Sequence, residues 1–416
     1  MNPEELIERN FERLKDEPYR PARVFREPTY DWPGDMEGRA MLAFVCHYLI
    51  HGKKVPQFDE VFRDNDLHVN QDGYYGALFN PEAIDEQQLA GNSWYLRGLL
   101  AYGDAFRDSK AYAYAKSTIE KLYKPALKVF PQYPVQRDGV VLGGVYGNLS
   151  AQLGKWKLSS DIGCAFIALD GIGHYYQRFP DQELHDLLVP AIAFFLGLDR
   201  EGLHAQSHGT LSALRGILCF YEQTKEERYL AAVEKVFRLY REKAMTLNYD
   251  CYNWFGRPET WSEPCAVTDS LILATKLYKI TKKEEYRVLA RRVFFNAFPF
   301  SLRPNGGAGP NSCTTLEAPC LHIVYDEAFQ CCTMRYAEGL LNYHENQELF
   351  QEEANPLIHQ EGTRYFRGDH LLCEDVENLY PQVPHYEIDG KSLIEIPTMT
   401  SLSWDEARRA KIKVSF

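Results

Sequence analysis

The sequence predicts a mainly α fold, an (α/α)6 barrel of helical hairpins over residues 1–350 followed by a β-rich segment over 351–416. Three observations carry that expectation. One unit recurs along the chain: a cluster of polar or small residues, an apolar-periodic stretch, a short Lys/Glu/Asp turn and a second amphipathic stretch, which together read as a helical hairpin. The phrases Thr224-Lys225-Glu226-Glu227-Arg228-Tyr229-Leu230 and Thr281-Lys282-Lys283-Glu284-Glu285-Tyr286-Arg287 nearly repeat, so two of these turns share a construction. No single hairpin can bury its own apolar faces, so repetition at this length points to a closed or stacked array, and six copies favour a toroid.

A first copy is expected near Asp35, ahead of 41–50, and a second near Asn92, with Tyr95, Leu99, Tyr102 and Phe106 at helical spacing. A third starts near Ser160, with Ile162, Phe166, Leu169 and Tyr176. The clearest runs over 207–245, where Leu211, Leu214, Leu218 and Tyr221 precede the Lys225 turn. The fifth opens at Glu263 with Leu271, Ala274 and Tyr278 and returns through Leu289 and Val293, and the sixth opens at Cys331. Beyond about Glu353 the pattern changes: Leu371-Leu372-Cys373 and the runs at 392–396 and 411–416 read as strands with Pro and Gly between them.

A chain of 416 residues with 45% hydrophobic residues can bury a large core without staples. Its formal charge of -12 and the lack of any Lys/Arg-rich run argue against nucleic acid or anionic membrane as partners, because both demand a basic footprint. Small neutral ligands and a homo-oligomer are left open. The acidic N-terminus lacks the pattern of a secretory signal and no apolar run reaches the length of a membrane span, so a cytoplasmic protein is expected. In a reducing cytosol the ten cysteines read as buried hydrophobes, metal ligands or catalysts rather than disulfides. Asn148-Leu149-Ser150 matches a glycosylation sequon and, without export, is read as chance.

The hairpin starts carry the chemistry. Asn92-Ser93-Trp94, Ser159-Ser160-Asp161, Ser207-His208-Gly209, Ser262-Glu263-Pro264-Cys265 and Gln330-Cys331-Cys332 all stand just ahead of, or on the first turn of, an expected inner helix. In a toroid those N-termini converge on one mouth, so the clusters would line a single cavity. Ser, Asp and Asn are ordinary N-caps, but caps alone do not call for Glu-Pro-Cys, Cys-Cys or His. Glu263, Cys265, Cys331 and Cys332 make a ligand set that suits a tetrahedral Zn²⁺, whose charge would hold the sulfurs as thiolates at neutral pH. A thiolate held in this way can be a ligand, a nucleophile, or both in turn. A closed four-ligand site is equally the usual form of a structural zinc.

The run Glu263-Pro264-Cys265-Ala266, with the inner helix that follows, Leu277-Tyr278-Lys279-Ile280-Thr281, Tyr286 and Phe294-Phe295-Asn296, resembles the Glu-Thr-Cys-Ala segment of family 127 glycoside hydrolases, the β-L-arabinofuranosidase superfamily. Cys331-Cys332 matches that family's vicinal pair. Gln71-Asp72-Gly73-Tyr74 is similar to its Gln-x-Asp-Gly-Tyr loop, and Ser207-His208 to its Gly-His segment. The likeness spans residues 35–345.

The resemblance implies an (α/α)6 barrel in which Zn²⁺ is bound by Glu263, Cys265, Cys331 and Cys332, with Cys331 the nucleophile of a retaining glycosidase. The substrate would be a β-L-arabinofuranoside-like or other unusual sugar glycoside. It also implies β-sandwich material after the barrel, of which 351–416 would be a truncated part. A retaining glycosidase needs an anionic nucleophile on one face of the anomeric carbon and a proton donor on the other. The family carries its acid/base Glu in an Asn-Glu-Gly-Phe-Gly segment, and the comparable Tyr252-Asn253-Trp254-Phe255-Gly256 has Asn253 at that place. Asp250 or Glu259 is left as the carboxyl that could supply the proton. Asn253 then counts among the substrate-binding candidates, with His208, Asp161, Asn92, Trp94, Tyr74 and Arg335.

Each of these has a plainer reading. Asp161 and Asn92 suit N-caps, Arg335 can pair with Glu338 on its own helix face, and Trp94, Tyr74 and Tyr75 can be core in so aromatic a chain. His47, His174, Cys164 and Cys219 lie in apolar stretches and read as core. The Gly/Pro run at 303–310 is no phosphate cradle and reads as a flexible cover or a plain connection, with Cys313 and Cys320 beyond it. Two other functions stand beside the hydrolase. One is a non-catalytic, zinc-stabilised carbohydrate-binding (α/α)6 protein; the other is a toroidal sugar isomerase or epimerase, which would use paired His bases.

Overall fold

The computed structural model describes residues 2–25, 32–136 and 150–415, which fall into two units. Asn148 and Leu149 of the sequon, and Phe416, lie outside the described residues. No helix among the described residues is long and apolar enough to cross a membrane.

In the unit formed by 14–243 and 254–256, a set of helices is buried almost all round: Asp35–His51, Glu86–Phe106, Ala168–Arg178 and Ser207–Thr224. Their return helices bury one stripe. Glu227–Lys243 hides Tyr229, Leu230, Val233, Val236, Phe237 and Tyr240 and turns its charges outward. This is the alternation of inner and outer helices expected from the hairpin repeat.

The inner helices touch backbone to backbone because small residues stand at the crossings. A Cβ on Gly216 would lie 1.8 Å from the Leu169 carbonyl oxygen, and one on Gly173 would lie 2.2 Å from that of Gly216. At the next crossing a Cβ on Gly38 would lie 2.0 Å from the Tyr95 nitrogen. Charge fixes the register of the same helices. Asp170, fully buried, meets Arg97 at 2.6 Å, His174 at 3.2 Å and Arg215 at 3.9 Å, so three inner helices share one neutralised carboxylate.

The hairpin turns repeat a device that the sequence phrase encodes. Lys225 ends the Ser207–Thr224 helix with φ +58° and donates its N–H to the Tyr221 carbonyl, while its ammonium lies 5.8 Å from the Tyr221 ring. Lys282 ends Pro264–Thr281 in the same way, with φ +59°, the Tyr278 carbonyl and the Tyr278 ring at 5.7 Å. The left-handed cap satisfies an orphan carbonyl, and the cation–aromatic contact favours Lys in a place that ordinarily takes Gly.

Two hairpin starts differ from expectation. The second inner helix begins at Glu86, capped by Asp85 whose carboxylate accepts from Gln87 and Gln88 nitrogens, so Asn92 and Trp94 lie two turns inside it. The third begins with a 3-10 turn at Cys164–Ile167, after the strand Trp156–Ser159, so Ser160 and Asp161 belong to the preceding loop. A polar first turn that is nonetheless buried hid the boundary at Glu86, and cap-like residues in the loop ahead of Cys164 hid the other.

The other unit comprises 1–13, 244–253 and 257–416. Helices Pro264–Thr281 and Glu284–Asn296 form a hairpin, and Pro3–Arg13 and Cys332–Glu345 join it. A seven-stranded antiparallel sheet runs in the order Cys320–Leu321, Ile412–Val414, His370–Asp375, Arg364–Arg367, Ile358–Glu361, with Lys391–Glu395 also paired to His370–Asp375 and Tyr386–Ile388 paired to Lys391–Glu395. Strands appear where the sequence expects them, at 370–375, 391–395 and 412–414. Asn296 ties sheet to helix: its side-chain oxygen accepts from Leu371 N at 2.7 Å and its amide donates to Asp369 O at 2.9 Å. Residues 351–416 therefore share a unit with the last helices, and the division of the chain does not fall at 350.

The Gly216 crossing leaves no room for a methyl group. Gly216→Ala is expected to destabilise the protein by about 3 kcal/mol, in the upper range for overpacking, read as a lower urea midpoint with an unchanged m-value. An unaltered midpoint would contradict the backbone contact.

Candidate functional site

Glu263 caps the helix that starts at Pro264, and proline at the first helical position presets the entry. Cys265 is therefore the second residue of that helix. Cys331 holds the equivalent cap position on the Cys332–Glu345 helix, at φ -143° and ψ -69°. Two helix N-termini thus bring four donors together, and the unpaired N–H groups there favour negative charge. The Sγ atoms of Cys265 and Cys332 lie 3.5 Å apart, those of Cys331 and Cys332 also 3.5 Å, and Cys332 Sγ is 3.9 Å from Glu263 Oε1. All four ligand atoms lie within 4.8 Å of one another. Cys265 and Cys332 are buried, whereas Glu263 and Cys331 keep some exposure.

These separations fit zinc. Tetrahedral Zn–S bonds of about 2.3 Å place two sulfurs about 3.8 Å apart, and a sulfur and an oxygen about 3.5 Å apart. The donor chemistry fits as well: burial, and then the adjoining Cys265 and Cys331 sulfurs, push the Cys332 thiol well above its ordinary range. Only a cation among them would let all four ionise together. Among the described residues this is the one group of three or more His, Cys, Asp or Glu donors close enough to share an ion. All ten cysteines are free thiols.

Beside the cluster stand Cys251 and Arg303, to which the sequence reading assigns no role of their own, together with Cys313. Cys251 Sγ accepts from Glu263 N at 3.2 Å and meets Glu263 O at 3.4 Å, and Cys313 Sγ donates to Cys251 O. Arg303 is fully buried and gives its guanidinium to carbonyl oxygens of Asp326 (2.9 Å), Pro310 (2.9 Å), Tyr325 (3.0 Å) and Phe300 (3.2 Å). Burial lowers its pKa to about 10, against the opposing pull of Cys332 and Asp250. The Gly/Pro run at 303–310 is thus packed rather than a flexible cover: a Cβ on Gly306 would lie 2.0 Å from Arg9 O.

Of the two candidate proton donors, Asp250 is fully buried and Glu259 is exposed and paired with Arg257. The Asp250 carboxylate accepts from Cys251 N at 2.8 Å. Burial pushes its pKa up to about 6, against hydrogen bonds from Cys251 N, Ser262 and Asn311 and the charge of Arg303. Glu259 has no comparable setting. Asn253 is buried, with its side-chain oxygen lacking a hydrogen-bond partner. Arg335 is buried between Asp269, at 2.5 Å, and Glu338. The pairing on its own helix is the arrangement found, and both carboxylates occupy the guanidinium that was a candidate for substrate.

The remaining candidates lie in the other unit. His208 is buried, with Nε2 3.3 Å from Arg39 Nη2, Nδ1 3.3 Å from Ser212 Oγ, and its ring parallel to Trp94 at 5.5 Å. Arg39 in turn binds Asp35 at 2.9 Å and lies 4.4 Å over the Trp94 ring. Trp94 is fully buried, so its ring is a platform for Arg39 and His208 rather than an open face for a sugar. Asn92 exchanges hydrogen bonds with the Tyr75 backbone at 2.9 and 3.0 Å and donates to Gln88 O, which makes it a structural clamp. Tyr74 is core, its hydroxyl accepting from Phe79 N at 2.7 Å. His174 is part-exposed and bound to Asp170 rather than sealed in the core.

Asp161 retains exposure, and burial together with Glu86 and Asp35 pushes its pKa up to about 7. Sequence reasoning missed Glu37 altogether. An acid in a first helical turn reads as a dipole partner, yet Glu37 is buried, its Oε2 has no hydrogen-bond partner, and burial pushes its pKa up to about 8.

No family model matches the chain, and no curated protein matches it in sequence. Solved structures match it in fold. Cellobiose 2-epimerase from Bacillus thermoamylovorans B4167 superposes with a TM-score of 0.52 at 13% identity, over 75% of this chain and 87% of that one. A GH127 β-arabinofuranosidase gives 0.53 at 11% identity, over 94% of this chain and 61% of the other. The GH127 β-L-arabinofuranosidase from Geobacillus stearothermophilus T6 gives 0.51 at 12%, over 96% and 66%. The chain therefore spans less than two thirds of the length of either arabinofuranosidase. At these identities the likeness establishes the fold: mainly α, of the (α/α)6 barrel class.

Glu37 makes stability depend on pH in a defined direction. Its folded pKa of about 8 lies above the ordinary 4.5, so the folded state keeps a proton that the unfolded chain gives up. Its contribution is complete below pH 4.5 and is lost as pH rises through 8. Glu37→Gln is expected to flatten the fall in stability across that window, each pKa unit being worth about 1.4 kcal/mol. Urea midpoints measured from pH 4.5 to 8.5 check it, and parallel profiles for the two proteins would refute it.

Proposed function

We propose that the chain is a carbohydrate-active enzyme, a retaining glycoside hydrolase with Cys331 as nucleophile. The observation that carries this reading is the convergence of Glu263, Cys265, Cys331 and Cys332, in which the residue Cys331 keeps some exposure while Cys265 and Cys332 are buried. A purely structural zinc needs no accessible sulfur. The fold is shared with proteins whose names are those of arabinofuranosidases and a cellobiose epimerase, which supports a sugar as substrate; a β-L-arabinofuranoside-like or other unusual sugar glycoside is the class that the resemblance of the Glu263-Pro264-Cys265-Ala266 and Cys331-Cys332 segments implies.

Glu263, Cys265, Cys331 and Cys332 would hold a zinc ion. When bound, it would supply the positive charge that keeps the sulfurs as thiolates at neutral pH and makes sulfur a competent leaving group. Cys331 Sγ attacks the anomeric carbon, forming a C–S bond as the glycosidic C–O bond breaks. The proton for the departing oxygen comes from Asp250, the buried carboxyl of the two candidates, whose raised pKa keeps a protonated fraction near neutral pH. Water then gives a proton back to the Asp250 carboxylate and displaces the sulfur, so the C–S bond breaks and the configuration is retained. Asn253, with its buried unpartnered oxygen, is suited to accept a hydrogen bond from a sugar hydroxyl.

Elemental analysis is expected to find about one zinc per chain, as a four-donor site would hold. Cys331→Ser is expected to abolish turnover of nitrophenyl furanosides while leaving the circular-dichroism spectrum unchanged. A metal-free wild-type protein, or full activity in Cys331→Ser, would refute the assignment; an epimerase would keep its isomerising activity in that variant.

Asp250→Asn is expected to slow hydrolysis of alkyl glycosides by about 10²–10⁴-fold. Nitrophenyl glycosides, whose leaving group needs less protonation, should suffer much less. Equal losses on both substrates would remove Asp250 from the role.

A further inference from the structure

The sheet of the second unit carries a cavity whose lining contains none of the four metal-competent residues. It has a volume of about 340 Å³, at the lower end of the range for small-molecule sites. Its floor is built of ion-paired groups. His370 is only 6% exposed, with Nδ1 3.2 Å from Glu395 Oε2 and Nε2 3.3 Å from Glu352 Oε2. Arg367 binds the other oxygen of Glu395. Phe295 meets the His370 ring at 4.4 Å, and Tyr380 and Tyr386 complete an aromatic wall.

The chemistry of this lining restricts what it can take. Arg367 faces a carboxylate already, so no cation is spare for an anionic ligand. Both ring nitrogens of His370 face carboxylates, and these residues are not among the donor groups close enough to share a metal ion. What remains is a surface of fixed, neutralised donors and acceptors beside aromatic faces. That combination suits a neutral polyhydroxylated ring, whose C–H face stacks on an aromatic side chain while its hydroxyls bond to polar groups.

We infer that this cavity is a second carbohydrate site, binding a neutral mono- or disaccharide against Tyr386 and the Arg367–Glu395–His370 cluster, with residues other than the Cys cluster as its lining. The inference rests on the carbohydrate reading of the chain for its ligand class, but not on the chemistry assigned to Cys331. Thr398 also lines the cavity and presents a hydroxyl, which lies 3.0 Å from that of Thr400.

Saturation-transfer NMR on the full chain tests it, with methyl β-L-arabinofuranoside, methyl β-D-xylopyranoside and cellobiose as probes and Cys331→Ser as background to prevent turnover. At least one probe is expected to give saturable transfer, and adding Tyr386→Ala is expected to weaken its affinity roughly tenfold. In the wild-type background, Tyr386→Ala should leave nitrophenyl glycoside turnover unchanged. Thr398→Val, which keeps volume and removes the hydroxyl, gives the same test should Tyr386→Ala fail to fold. Absence of transfer from all three sugars, or transfer equally strong in the cavity variants, would overturn the site. Loss of transfer in those variants with no hydrolysis by the wild type would refute the hydrolase and leave the cavity standing.

Discussion

Three sulfurs and a carboxylate held within 4.8 Å of one another can all be ionised only around a cation, and the architecture near them answers to that constraint. Neither donor pair is local to the other: Glu263 and Cys265 flank the start of one helix, Cys331 and Cys332 the start of another, and 65 residues lie between Cys265 and Cys331. The proline after Glu263 sets the angle at which that helix enters. The backbone of Cys251 holds the Asp250 carboxylate, and the Cys251 sulfur holds the Glu263 main chain. Donor positions are therefore set by main-chain geometry, which tolerates loss of a metal better than a site assembled from long flexible side chains.

The helical scaffold obtains comparable rigidity through contact without side chains. Where inner helices cross at Gly173 and Gly216, backbone atoms meet directly, and at such spacing small shifts of one helix are transmitted to the next. The shared carboxylate of Asp170 adds direction, since Arg97 and Arg215 come from different helices and meet it from different sides. Buried ion clusters contribute more to a unique arrangement than to net stability. Here the two devices act on the same crossings.

Much of this was legible in the sequence, and the failures have physical causes. The starts at Asp35, Ser207, Glu263 and Cys331 were readable because a turn or cap precedes an apolar run, and at Glu263 a proline follows. Glu86-Gln87-Gln88 misled because its polarity resembles a loop, although Glu86 and Gln87 are buried by partners remote in sequence, such as Tyr133, whose hydroxyl donates to Glu86 at 2.7 Å; Ser160-Asp161 misled in the opposite sense, because residues typical of a helix cap stand in the loop ahead of Cys164. The four metal-competent residues could be grouped from residue type and hairpin position alone. Arg303, Glu37 and the role of Cys251 could not, because the burial of a charge or a thiol depends on tertiary partners that leave no local pattern. Trp94 and Arg335 were readable as functional types and turned out to be occupied by the protein itself.

Arg303 is surrounded by carbonyl dipoles rather than by a hydrogen-bonded carboxylate. Such a cation keeps its proton at neutral pH and cannot hand it to a neighbour, so it acts as a standing electrostatic potential and never as an acid. Negative charge near it, such as that of Asp250 or of a Cys332 thiolate, is stabilised without being quenched. The glycine-rich run that carries it then serves as a mount for fixed charge, with its small residues permitting close passage of the chain instead of motion.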